Sequence, residues 1–167
     1  NDVTQYADSV PEDFRFSIKI PNSITLTHFY RKSKTEALNV NPYFLSKDLF
    51  DRFLETLSSM KNNLGPLMFQ FEYLNKEKMS SQVEFMERFE SFIESVDRSY
   101  KYAIEIRNPN YINKKFFEFL NRNNIHMVYL HGYYMQPVWE SFKSFKEFIK
   151  DTVVLRLHGP DRSGIET

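Results

Sequence analysis

Five short apolar runs, each separated from the next by a stretch of helical periodicity, limit what this chain can fold into. "FRFSIKI" (Phe14–Ile20), "LMFQF" (Leu67–Phe71), "YAIEI" (Tyr102–Ile106), "HMVYLHG" (His126–Gly132) and "TVVLRLHG" (Thr152–Gly159) have the length and composition of strands. Between them, residues 46–62, 80–96, 113–123 and 139–150 carry apolar stripes at helical spacing. Leu49, Phe50, Phe53, Leu54 and Leu57 form the first; Val83, Met86, Phe89, Ile93 and Val96 the second. Phe116, Phe117, Phe119 and Leu120 form the third, and Phe142, Phe145, Phe148 and Ile149 the fourth. Ser46 and Ser80 or Ser81 stand at N-cap positions, Pro21 ends the first strand, and Leu64-Gly65-Pro66 stops the first helix. No hairpin signal joins consecutive strands. Strands and helices in alternation imply parallel pairing through right-handed crossovers.

Two architectures satisfy this order: an open doubly wound sheet, and an arc of a (β/α)8 TIM-barrel-like fold. The glycine fingerprint of the dinucleotide fold is absent, and the chain holds only 4 glycines, which favours the barrel. A length of 167 residues suits one core. The expectation is a single α/β domain over residues 1–167, a partial barrel of five parallel strands with helices. The chain opens without a methionine and closes just after a strong strand, so it is expected to be a fragment of a longer barrel. Open sheet edges would then favour a homodimer or marginal stability.

Charge narrows the function. Lys and Arg number 22, as do Asp and Glu, so the broad electrostatic footprint of a nucleic-acid binder is missing. The absence of cysteine excludes disulfides, thiolate catalysis and zinc–thiolate sites. No segment has the length of a membrane span or the form of a secretion signal, so a cytoplasmic protein is expected.

Sorting the first, second, third and last strands by alternation gives one apolar face and one face that turns polar toward the C-terminal end. Arg15, Ser17 and Lys19 share a face in the first strand, Met68 and Gln70 in the second, Ala103, Glu105 and Arg107 in the third, and Val154, Arg156 and His158 in the last. In a parallel barrel that face is the interior, and its C-terminal layer is the floor of the site. Any one of these residues alone reads as a structural ion pair or a hydrogen-bonded core histidine. Several strands committing polar residues at one end read as a site. Lys19, Arg107 and Arg156 outnumber the single carboxylate Glu105, which points to an anionic ligand, phosphate or carboxylate. Glu105 would orient an arginine or act as a base, and His158 suits general acid or base work.

The remaining histidines carry less. His126 begins a strand and reads as structural, while His131 ends one and is a candidate for the pocket side. None forms a His-Glu-x-x-His spacing, and no metal site is expected. The long polar and aromatic loop over residues 25–41 lies where barrels place functional loops. Tyr133, Tyr134 and Trp139 follow the fourth strand as a cap on the barrel mouth, or as a stacking platform.

Several of these stretches are familiar together. "PEDFRFSIKIPNSIT" with His28, then "LGPLMFQF", "YAIEIRNPNY" and "VVLRLHGPDR", in order over nearly the whole chain, resemble the YecE-like family, the domain of unknown function numbered 72. The resemblance implies a (β/α)8-like barrel of which this chain represents strands three to seven. It carries Lys19, His28, Gln70, Glu105, Arg107, Arg156, His158 and Gly159 over as site residues, with the roles above: Glu105 and His158 catalytic, the others ligand-binding. The Pro-Pro that often follows the glutamine strand is replaced by "EYL" here. The expected function is binding of a small anionic molecule at the C-terminal ends of the strands, with acid/base catalysis of a hydrolase or isomerase type. The alternatives are a non-catalytic ligand-binding or interaction module and, less favoured, a nucleic-acid processing barrel. The sequence names no cofactor.

Overall fold

Five strands form in the order read from the sequence: β1 (Phe16–Lys19), β2 (Leu64–Phe71), β3 (Tyr102–Ile106), β4 (Ile125–His131) and β5 (Val154–Leu157). They belong to a computed structural model that describes residues 2–31, 33, 35–132 and 134–158. Every neighbouring pair is parallel, and the strand order is the chain order with no reversal. A doubly wound sheet reverses at a switch point and has helices on both faces; one direction of right-handed crossover puts every helix on one side. The result is a curled half-barrel, convex side covered and concave side open.

The helices are α1 (Asp2–Asp8), α2 (Asn22–Thr25), α3 (Lys47–Thr56), α4 (Gln82–Ser95), α5 (Lys114–Arg122) and α6 (Val138–Phe145). Their starts follow side-chain chemistry. Oxygens of Ser46, Ser81 and Asn113 accept from the backbone N–H of Leu49, Glu84 and Phe116, satisfying donors that a helix start leaves unpaired. Glu84 in turn accepts from the N–H of Ser80 at 3.0 Å. None of the described helices is long and apolar enough to cross a membrane.

The strands' apolar faces and the helix stripes make a core dominated by phenylalanine. Phe50, Phe69, Phe71, Phe85, Phe89 and Phe116 are fully buried. Phe69 meets Phe89 edge-on at 5.2 Å, Phe71 meets Phe85 at 4.9 Å, and Phe117 stacks on Phe145 at 4.2 Å. Each such ring contributes roughly 1.5–3 kcal/mol on burial, and perpendicular pairs add favourable quadrupole contacts.

Four expectations are corrected. β1 starts at Phe16, because its ladder to β2 begins at Phe16 opposite Leu64. β2 starts at Leu64 and contains the Gly65-Pro66 expected only to stop a helix. Two residues of β2 stand opposite Ser17 there, a bulge that places Pro66 before its ladder with β3 begins at Leu67. The stretches 46–62 and 139–150 each split into an α-helix and a 3-10 turn, Ser58–Asn63 and Lys146–Phe148. Val83 and Phe142, expected inward, are exposed, because α4 buries a face formed by Phe85, Phe89 and Phe92, and α6 has no buried residue.

Candidate functional site

The register of the sheet brings Gln70 and Glu105 side by side on the concave face, as Cα partners across β2 and β3. Arg156 lies two strands from Glu105, beyond β4, whose Leu130 is its own Cα partner. Two strand spacings are about 10 Å, a gap only a long side chain closes. Its Nη1 donates to Glu105 Oε2 at 2.6 Å and to Gln70 Oε1 at 2.7 Å. Arg107 Nε donates to Glu105 Oε1 at 3.1 Å. Glu105 is fully buried, while the arginine side chains are 22% (Arg107) and 33% (Arg156) exposed.

One carboxylate therefore bridges two guanidiniums, which neutralises part of their charge and fixes both in place. A buried charge needs such partners, since a lone carboxylate would carry a large desolvation cost. The arrangement holds one more positive charge than negative. Arg156 spends one nitrogen on Glu105 and Gln70, and its other N–H groups make no hydrogen bond among the described residues.

His158 follows β5 and completes the layer. Its N–H donates to His131 O at 2.8 Å, continuing the β4–β5 ladder by one bond. Gly132 makes that approach feasible: its φ is +114°, and a Cβ there would stand 2.8 Å from both Cβ and the carbonyl oxygen of His158. Burial, then the Arg156 charge, lower the imidazole pKa; Glu105 opposes them and Arg107 adds to them. The ring is accordingly neutral at pH 7 and able to accept a proton.

Other expected residues lie apart from this network. Lys19 is the Cα partner of Met68, and its Nζ donates to Asn22 Oδ1 at 2.9 Å. His28 contacts Thr27 Oγ1 at 3.0 Å and forms an antiparallel bridge with Val40 inside the long loop. His131 takes the helix side, with its ring 5.1 Å from Trp139 of α6, because it alternates in phase with Tyr129, which packs against Phe117. His126 is buried at the other end of β4, 3.8 Å from Asp151, and burial lowers its pKa. Gly159 and Tyr133 lie outside the described residues. Among the described residues no group of three His, Asp or Glu side chains is placed to hold a metal.

Sequence reasoning passed over two features of the rim. Asn108, just past β3 and 2% exposed, accepts from the N–H of Leu74 at 2.8 Å and donates to its carbonyl at 2.9 Å, pinning the loop after β2 to the end of β3. Tyr73 in that loop meets Tyr134 from the loop after β4. An asparagine next to Arg107 was the only local signal for the first; Tyr134 was read as a mouth cap or stacking platform, but nothing local signals its contact with Tyr73.

A family model described as "Protein of unknown function DUF72" matches residues 1–166. No curated protein matches the chain. Among solved structures, a DUF72 family protein from Enterococcus faecalis V583 is similar, with 19% identity and a TM-score of 0.61 over 98% of this chain and 61% of that one. A DUF72 family protein from Thermotoga maritima MSB8 is similar with 19% identity and a TM-score of 0.57, over 98% of this chain and 56% of that one. At that identity the likeness shows the fold alone, and the chain spans less than two thirds of either protein's length.

Proposed function

The chain belongs to the DUF72 family, and from that premise we propose that it binds a small anion, phosphate or carboxylate, at the C-terminal ends of its strands. The observation that carries this reading is the pairing of Arg107 and Arg156 on one buried carboxylate, with N–H groups of the Arg156 guanidinium left over on a partly exposed face. Planar guanidiniums held in advance bind planar or tetrahedral oxyanions with little loss of side-chain freedom. Glu105 then serves as the orienting group, because both its oxygens already accept from arginine. His158, neutral beside that charge, is the acid/base candidate, suited to move a proton at a group held next to the anion. Hydrolysis and isomerisation both use such a step.

The full engagement of Glu105 also favours a second reading. With one titratable group remaining for proton transfer, the same pocket serves a ligand-binding module without catalysis.

The test is a calorimetric titration with inorganic phosphate and with succinate, on the wild type and on Arg156→Lys, which keeps the charge but loses the fork. The expected result is a loss of about tenfold or more in affinity for one of the two anions. Equal binding by wild type and variant, or no binding of either anion to the wild type, rejects the anion site. Once a substrate is in hand, His158→Asn separates enzyme from binding module: an enzyme loses turnover and keeps binding, a module has no turnover to lose.

A further inference from the structure

The rim beside the arginines has a built feature that anion binding alone does not use. Tyr73 and Tyr134 have ring centroids 5.9 Å apart and ring planes at 89°. They follow β2 and β4, the strands on either side of β3. Those strands are separated by about 10 Å at the sheet, so rings that meet at 5.9 Å do so across the end of β3, where Arg107 follows Ile106. The Asn108 clamp on Leu74 holds the loop that carries Tyr73 in this place.

Both rings of the pair stand half open to solvent. Tyr73 is 49% and Tyr134 58% exposed, so neither ring is sunk in the core. A perpendicular pair leaves ring surface facing outward, and the face of a tyrosine stacks on planar rings without discriminating closely among them. Lys plus Arg equals Asp plus Glu over the whole chain, which disfavours a polyanion tracked along its backbone and fits a single small ligand.

We propose that Tyr73 and Tyr134 form a ring-binding subsite of the arginine site, and that the ligand is a small anion bearing a planar ring, of mononucleotide size. This rests on the anion reading above. The anionic group sits on Arg107 and Arg156, and the ring lies against the tyrosines at the rim.

Titration of the whole chain with four probes tests it: adenosine 5′-monophosphate, phenyl phosphate, ribose 5-phosphate and inorganic phosphate. The two compounds with planar rings are expected to bind about tenfold tighter than the other two. Tyr73→Ala and Tyr134→Ala should bring all four to similar affinity, while Tyr73→Phe and Tyr134→Phe keep the preference because the ring face remains. Thermal midpoints of each variant report whether the fold is intact, and the phenylalanine variants carry the test if an alanine variant unfolds. Equal affinity for all four probes in the wild type, ribose 5-phosphate matching adenosine 5′-monophosphate, or a preference that survives both alanine substitutions overturns the ring subsite and leaves the anion site standing. If none of the four binds the wild type, the anion site falls and the ring subsite with it.

Discussion

β3 and β5 have the same design on paper and different fates in the fold. Each alternates an apolar face with a face that carries a charged residue into the site, Glu105 from β3 and Arg156 from β5. β3 lies at the centre of the sheet, and all five of its residues are buried. Among the described residues β5 is an edge, and its apolar side chains Leu155 and Leu157 stand 53% and 68% exposed. The charge on β3 is locked between two guanidiniums, whereas the charge on β5 keeps a third of its side chain in contact with solvent. Position in the sheet, more than strand pattern, decides how firmly a polar group is held and how available it remains.

Breaking this contrast at its strongest point means Glu105→Gln, which leaves Arg107 and Arg156 facing each other without their bridge. A loss of about 3–5 kcal/mol is expected in urea unfolding, while Arg156→Met, which leaves Glu105 paired with Arg107, should cost less. Equal losses would show that the two ends of the ion pair are held alike. Ile104→Ala on the helix side of β3 empties a fully buried position and should cost about 2–5 kcal/mol by the same measurement.

Gly132→Ala tests the contact between β4 and β5. A side chain at φ +114° that meets His158 at 2.8 Å is expected to cost roughly 1–3 kcal/mol and to weaken any function that depends on His158. The pH dependence follows from burial. The folded state lowers the pKa of both His158 and His126, so folded chains bind fewer protons than unfolded ones below about pH 6.5. Stability should be level above that pH and fall as the pH drops from about 6.5 toward the lowered folded values. The double variant His126→Asn with His158→Asn should flatten that part of a thermal-midpoint profile. The smallest effect belongs to the bare face of β5, where Leu155→Ala should stay within about 0.5 kcal/mol of wild type. A large loss there would mean that this face is covered in solution.

Several parts of the candidate site were legible in the sequence because strand alternation is local. Gln70, Glu105, Arg156 and His158 were grouped by phase alone, and three of them are joined by hydrogen bonds in the structure. Lys19 shared the phase but is held by Asn22, since alternation gives the face of a residue without giving its height in the barrel. His131 was offered to the pocket and belongs to the helix side, one residue of phase away. Asn108 and the Tyr73–Tyr134 pair were missed because their partners are 34 residues away in the first case and on another loop in the second.

The order of the five strands, the helix starts at Ser46, Ser81 and Asn113, and the division of four of the strands into two faces are properties of short stretches of chain, whereas α1 and α2 were not read from the sequence. Hydrogen bonds to a neighbouring N–H and the period-two pleat act within a few residues, so they are readable before any distant contact is known. Which strand became a buried centre and which an exposed edge, and that one glutamate would join two arginines from different strands, depended on register and on what covers each face. Those are contacts between distant parts of the chain, where burial and Coulomb attraction depend on the assembled sheet, and they exist only once it has formed.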